Sequence, residues 1–172
     1  MKRIFLFFLT ITASDAFAQN EFAATVFYTE FKKIHADAQS GFITYKGDRR
    51  KSEFEELAAE YKVKMLLPLA DSGKIVVPVS GNPYAVYYFE PDKVRLKVDQ
   101  RATNLRDAML IAFEKPLYGR TETVVANNYP LTTAYYFTDP NESRSSLAAF
   151  KMSIYYSAGK YYLSLEVRGK NR

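Results

Sequence analysis

The chain has 172 residues, no cysteine, no tryptophan and a single histidine, and its formal net charge of +5 comes from 24 basic residues set against 19 acidic ones. The missing cysteines exclude thiol nucleophiles, disulfides, Cys-ligated zinc and iron–sulfur clusters, and one histidine excludes a multi-His metal site. The charges are interspersed, and the densest basic run, Lys46 to Lys51, is broken by Asp48. That is a solvated loop pattern rather than the one-faced basic footprint of a nucleic-acid binder.

The first residues, "MKRIFLFFLTITASDAFAQN", place Lys2 and Arg3 before an apolar run that ends near Ala13, followed by Ala16-Phe17-Ala18. This is the pattern of a secretory signal peptide over residues 1–18. The apolar run falls short of the roughly 20 residues a membrane span needs. The expectation is an exported protein, periplasmic or extracellular, that starts at Gln19 and keeps no membrane span after processing. Loss of Lys2, Arg3 and Asp15 lowers the net charge by one unit. The remainder, residues 19–172, suits one domain that can bury roughly 70% of its unfolded surface without disulfide support.

In chain order, the first predicted element is a helix. Phe27, Phe31, Ile34 and Ala38 recur at spacings of four, three and four, Asn20 can cap the start, and Gly41 lies just past the end. A short strand from Phe42 to Tyr45 and a turn at Gly47-Asp48 follow. "SEFEELAAEY" reads as a second helix: Ser52 and Glu55 form a capping box, and Phe54, Leu57, Ala58 and Tyr61 form the buried stripe. Strand patterns then run to Val98. "KVRLKV" alternates Val94, Leu96 and Val98 with Lys93, Arg95 and Lys97. "TNLRDAMLIAFEK" is the third predicted helix, capped by Thr103, buried through Leu105, Ala108, Met109, Ala112 and Phe113, and stopped at Pro116. Four strands complete the chain. There is no internal sequence repeat, low-complexity tract or linker. The predicted fold is a single α+β domain with three helices on a mostly antiparallel sheet, closed by a C-terminal β-hairpin over residues 147–168.

That hairpin has a legible register. Folding it about Ala158-Gly159 sets Tyr156 against Tyr161, Ile154 against Leu163, Met152 against Leu165 and Phe150 against Val167 on the core face. On the other face Tyr155 meets Tyr162, Ser153 meets Ser164, and Lys151 meets Glu166 with opposite charge. A slip of one residue would undo every match.

Aromatic residues make up 16% of the chain, with 14 tyrosines and 13 phenylalanines. In "YAVYYF" and "TTAYYF" one of two adjacent tyrosines must point away from the core. Tyr87 or Tyr88, and Tyr135 or Tyr136, can therefore share a face with Tyr155 and Tyr162. Tyr155, Tyr162, Tyr135 and Tyr87 are the candidate binding residues, since tyrosine joins a broad apolar ring to a polar tip. No catalytic constellation accompanies them. His35 reads as a partly exposed surface residue, the serines lack a G-x-S-x-G setting, and no phosphate-binding glycine motif occurs. "DPNESRSS" reads as a polar loop lacking the alternating oxygen ligands of a Ca²⁺ site. No metal or cofactor is expected.

"DAQSGFITYKG" (Asp37 to Gly47) after an N-terminal helix, followed by "LLPLADSGKI" (Leu66 to Ile75), resembles small exported bacterial proteins of unknown function. The shared pattern is a Gly-Phe entry to a strand and a Leu-Pro element, and the resemblance implies no activity. The functional expectation is a non-catalytic binding protein of the bacterial envelope whose partner is another envelope or secreted protein. The alternative is an NTF2-like cone built from residues 103–167, holding a small molecule in a pocket with Glu122, Tyr135 or Glu166 and sometimes catalysing hydrolysis or isomerisation.

Overall fold

The computed structural model describes residues 26–52, 55–113, 119–126, 129–138 and 148–170. The signal peptide, the cap at Asn20, the stop at Pro116 and the "DPNESRSS" loop lie outside the described residues.

Helix α1 covers residues 26–38. Its predicted stripe is its buried face: Phe27, Phe31, Ile34 and Ala38 are almost fully enclosed. The helix closes on Gly41 (φ 74°) and Phe42 (φ 62°) in left-handed backbone. Asp37, at the last turn, is buried, and its carboxylate accepts the Thr44 N–H (3.0 Å) and Tyr45 N–H (2.8 Å). These bonds hold residues 42–45 as a tight turn, so the strand expected there does not form. The first strand, β1 (Lys46–Arg50), begins where a turn was expected, and the basic run is an edge strand rather than a loop.

The segment predicted as the second helix, residues 52–61, runs instead into strand β2 (Ala58–Val63), preceded by a turn at residues 55–57. Leu57, expected to be buried, is 68% exposed; Phe54 lies outside the described residues. The short helical pattern gives way to pairing on both sides, with β1 and with β3 (Ala70–Pro78). As a strand it packs Tyr61 and Val63 on the core and turns Glu60 the other way, to Lys74 at 2.6 Å. A helix this short depends on tertiary packing, and here packing favours the strand.

Strand β4 (Tyr84–Asp92) leads into helix α2 (Arg95–Phe113), which starts eight residues before the predicted Thr103 cap. "KVRLKV" is therefore not a strand. Asp92 accepts the Val94 N–H at 2.8 Å just before the first turn. Val98 joins the stripe of Ala102, Leu105, Met109 and Ala112, whereas Leu96 is 75% exposed. Thr103 lies inside the helix, where its hydroxyl donates to the Asp99 carbonyl one turn back (3.1 Å).

Strands β5 (Gly119–Ala126), β6 (Tyr129–Phe137), β7 (Phe150–Ser157) and β8 (Lys160–Arg168) complete one eight-stranded antiparallel sheet in the order β1-β2-β3-β4-β8-β7-β6-β5. The described residues thus contain two helices rather than three. A helix followed by a four-strand meander occurs twice in succession, and the final strands of the two meanders, β4 and β8, pair at the sheet centre. This duplication of architecture has no counterpart in a visible sequence repeat. Every cross-strand pair expected in the C-terminal hairpin is present from Phe150↔Val167 to Tyr156↔Tyr161. Its turn uses left-handed backbone at Ala158 (φ 47°) and Gly159 (φ 78°), the turn geometry that suits a two-residue hairpin loop.

Both helices bury their stripes in one core with Ala85, Tyr87 and Phe89 of β4, Phe150, Met152 and Ile154 of β7, and Leu163, Leu165 and Val167 of β8. These strand residues share one sheet face. Among the described residues, neither helix covers the opposite face.

Candidate functional site

The open face is assembled from alternate residues of the central strands. One row across β4, β8, β7 and β6 reads Tyr88, Ser164, Ser153, Ala134. The neighbouring rows place Tyr162, Tyr155 and Thr132 on one side, and Val86, Glu166, Lys151 and Tyr136 on the other. Serine and alanine are short, so the middle row is a floor and the flanking tyrosines and charged stems are walls. The result is an open groove of about 720 Å³.

Tyr155 and Tyr162 stack at 5.3 Å between ring centroids with planes 11° apart. Partial burial raises the Tyr155 pKa above its ordinary value, with Tyr88 and Tyr162 adding to the shift. Burial is also the main cause of the raised pKa of Tyr84, with Glu166 beside it. These phenols are neutral at physiological pH and can both donate and accept hydrogen bonds.

The matched pair Lys151 and Glu166 does not close into an ion pair. Glu166 instead accepts from Arg168 Nε at 2.7 Å. Lys151 Nζ lies 5.6 Å from the Tyr136 ring centroid, and no carboxylate among the described residues engages it. The other lysine lining the groove, Lys74, is held by Glu60. Arg120 lies over the outer side of Tyr136, 4.8 Å from the ring centroid. The groove therefore has one half-buried ammonium without an anionic partner.

The four tyrosines expected at the site divide between the two faces. Tyr155 and Tyr162 line or flank the groove. Tyr87 is fully buried on the helix side, where its cross-strand partner Gly73 leaves room for the ring: a Cβ at Gly73 would sit 3.0 Å from Tyr87 Cδ1. Tyr135 pairs with Met152 and packs against the same core. Their neighbours Tyr88 and Tyr136 occupy the open face in their place. Tyr84 and Lys151 complete the site; the polar-face matching of the hairpin already put Lys151 on this side, but its lack of an acidic partner is visible only in the structure. Tyr156, expected on the core face, lies near the sheet end and is 48% exposed.

His35 lies on the helix side, away from the groove. It is partly exposed, as expected, and packs edge-on against Phe113 (5.3 Å) and Phe150 (5.0 Å). Among the described residues no group of three or more His, Asp or Glu side chains could hold a metal ion. Glu122 on β5, Tyr135 on the helix side and Glu166 in the groove do not converge on one cavity. A smaller groove of about 470 Å³ lies on the helix side near Phe27, Leu69 and Ile111. Its cations are already engaged, Lys97 with Asp92 (3.6 Å) and Arg101 with Glu90 (3.7 Å).

The site defines an open antiparallel sheet, backed by helices, that offers a tyrosine–serine surface. No described helix is long and apolar enough to cross a membrane. No family model, curated protein or solved structure matches the chain.

Proposed function

We propose that this is an exported, non-catalytic binding protein of the bacterial envelope, and that its open sheet face receives a loop of a protein partner bearing a carboxylate. The observation that carries the reading is the groove itself: stacked Tyr155 and Tyr162 beside a floor of Ser153 and Ser164, with Lys151 lacking an anionic partner at the edge. Tyrosine supplies large contact area at low entropic cost and serine supplies adaptable hydrogen bonds, the combination that protein-binding surfaces use. An ammonium without an anionic partner favours a partner that brings the missing charge. Separation of Glu122, Tyr135 and Glu166 supports this reading over the pocket alternative.

The test is capture from envelope extract by the protein purified after export. Tyr155→Ser/Tyr162→Ser and Lys151→Glu run beside it, with Leu96→Ser on the exposed side of α2 as the control. One protein retained by the native chain and the control, released from both by salt, and lost by both groove variants supports the reading. Equal retention by all four, or capture of nothing, overturns it.

A further inference from the structure

We infer that strand β5 is a self-complementary edge through which two copies of this chain join their sheets. The two ends of the sheet differ. Strand β1 is a five-residue, mostly basic edge with a register shift between Lys46 and Arg49, the short irregular form that resists further pairing. Strand β5 is eight residues long, carries no proline and, among the described residues, is paired on one side only, with β6; its own register shift lies between Val124 and Val125, beyond the regular stretch from Gly119 to Val124. Its residues 119–124 are exposed.

The side chains on that edge specify both partner and register. Arg120 and Glu122 pair with Tyr136 and Ala134, which puts both on the open face. They form an exposed ion pair at 3.0 Å within the strand. Pair β5 antiparallel with a second β5 about a two-fold axis through Thr121. Each Arg120 then stands opposite the Glu122 of the other copy, and the two Thr121 residues face one another. Opposite charges and threonine pairs are both favourable directly across a ladder. Sliding the register two residues in one direction sets Arg120 against Arg120, and in the other direction Glu122 against Glu122. A slip of one residue turns the helices of one copy to the opposite face. The charge pattern therefore selects one arrangement, a closed two-fold dimer.

In that arrangement the axis is perpendicular to the sheet, so both open faces lie on the same side. The edge pairing is independent of the binding reading. If that reading also holds, the dimer presents two grooves to one surface and binds a multivalent or dimeric partner with avidity.

The experiment is sedimentation velocity on the exported protein over a concentration series, with Arg120→Glu, Glu122→Arg, and an equimolar mixture of the two variants. Circular dichroism first establishes that each variant is folded, as expected for exposed substitutions. A contact this small gives a dissociation constant on the order of 100 µM or tighter for the native chain. Each single variant places like charges opposite one another and weakens self-association at least about tenfold. The mixture recovers dimers as heterodimers, because one variant has an all-acidic edge and the other an all-basic one. A native chain that stays monomeric across the series overturns the inference. So do single variants that dimerise like the native chain, or a mixture no more associated than either variant alone. None of these outcomes bears on capture by the groove, so this inference and the proposed function can fail separately.

Discussion

Tyr155 and Tyr162 lie face to face across β7 and β8, with centroids 5.3 Å apart and ring planes nearly parallel at 11°. The contact is on the sheet face that the helices leave open, so it supports the hairpin while remaining available to a partner. In a double-mutant cycle using Tyr155→Ala and Tyr162→Ala, urea unfolding is expected to give a coupling of about 0.5–1 kcal/mol. Zero coupling would mean that the rings merely lie near one another.

Tyr87 is the reverse case, a tyrosine on the covered face whose hydroxyl is buried without a hydrogen-bond partner among the described residues. Its pKa is raised by burial first, with Tyr45 and Asp37 adding to the effect. The folded pKa thus lies above the unfolded value of about 10. The associated stability is complete below about pH 10 and is lost as the pH rises further toward the folded pKa. Tyr87→Phe removes an unsatisfied polar group and is expected to stabilise the neutral protein by about 1 kcal/mol. It also makes the alkaline unfolding limb shallower. Thermal melts from pH 7 to 11 check both effects, and an unchanged alkaline limb would show that other groups control it.

Asp37 closes α1 by accepting two backbone N–H groups, from Thr44 and Tyr45. Asp37→Ala leaves two part-buried donor sites without their acceptor and is expected to cost about 1–3 kcal/mol in urea unfolding. Asp37→Asn keeps one oxygen acceptor and should lose less. Equal losses for the two substitutions would assign the effect to charge rather than to the paired acceptance.

The end of the chain is clasped against the start of the domain at Gly169. Its N–H donates to the Pro83 carbonyl at 2.7 Å, and the next residue, Lys170, donates to the Ala38 carbonyl at 3.0 Å. A Cβ on Gly169 would sit 2.7 Å from the Ala38 carbonyl oxygen and 2.9 Å from the Phe42 ring. Gly169→Ala is expected to cost about 1–3 kcal/mol by forcing these segments apart. A loss below a few tenths would show that the clasp yields without strain. Thermal unfolding measures the loss; Gly169 lies outside the left-handed region, so the cost is one of packing, unlike the backbone strain that Gly159→Ala would introduce at φ 78°.

How much of this was legible in the chain depended on how local the deciding contacts are. The α1 stripe and the β7–β8 register follow from neighbours a few residues apart or across a tight turn, and both occur as the pattern predicts. Residues 93–98 mislead because Val94, Leu96 and Val98 fit a period of two, yet Val98 also continues the helical series through Ala102 and Leu105. The start at Arg95, next to the Asp92–Val94 bond, satisfies the second pattern. Residues 58–63 carry good helix formers, and only pairing with two neighbouring strands makes them extended.

The same distinction applies to the candidate site. By itself the amino-acid sequence determined that tyrosines occur in adjacent pairs, that Tyr155 and Tyr162 oppose one another, and that no cysteine or multi-histidine chemistry is possible. It could not choose between Tyr87 and Tyr88, because β4 is apolar on both faces: Ala85, Tyr87 and Phe89 on one, Tyr84, Val86 and Tyr88 on the other. Tertiary structure made that choice. Both helices pack on one side, Gly73 opens space there for the Tyr87 ring, and β8 pairs Ser164 with Tyr88 on the other. Period-two patterning assigns a face only when one face is polar, and at the centre of this sheet side-chain volume and distant strand register decide instead.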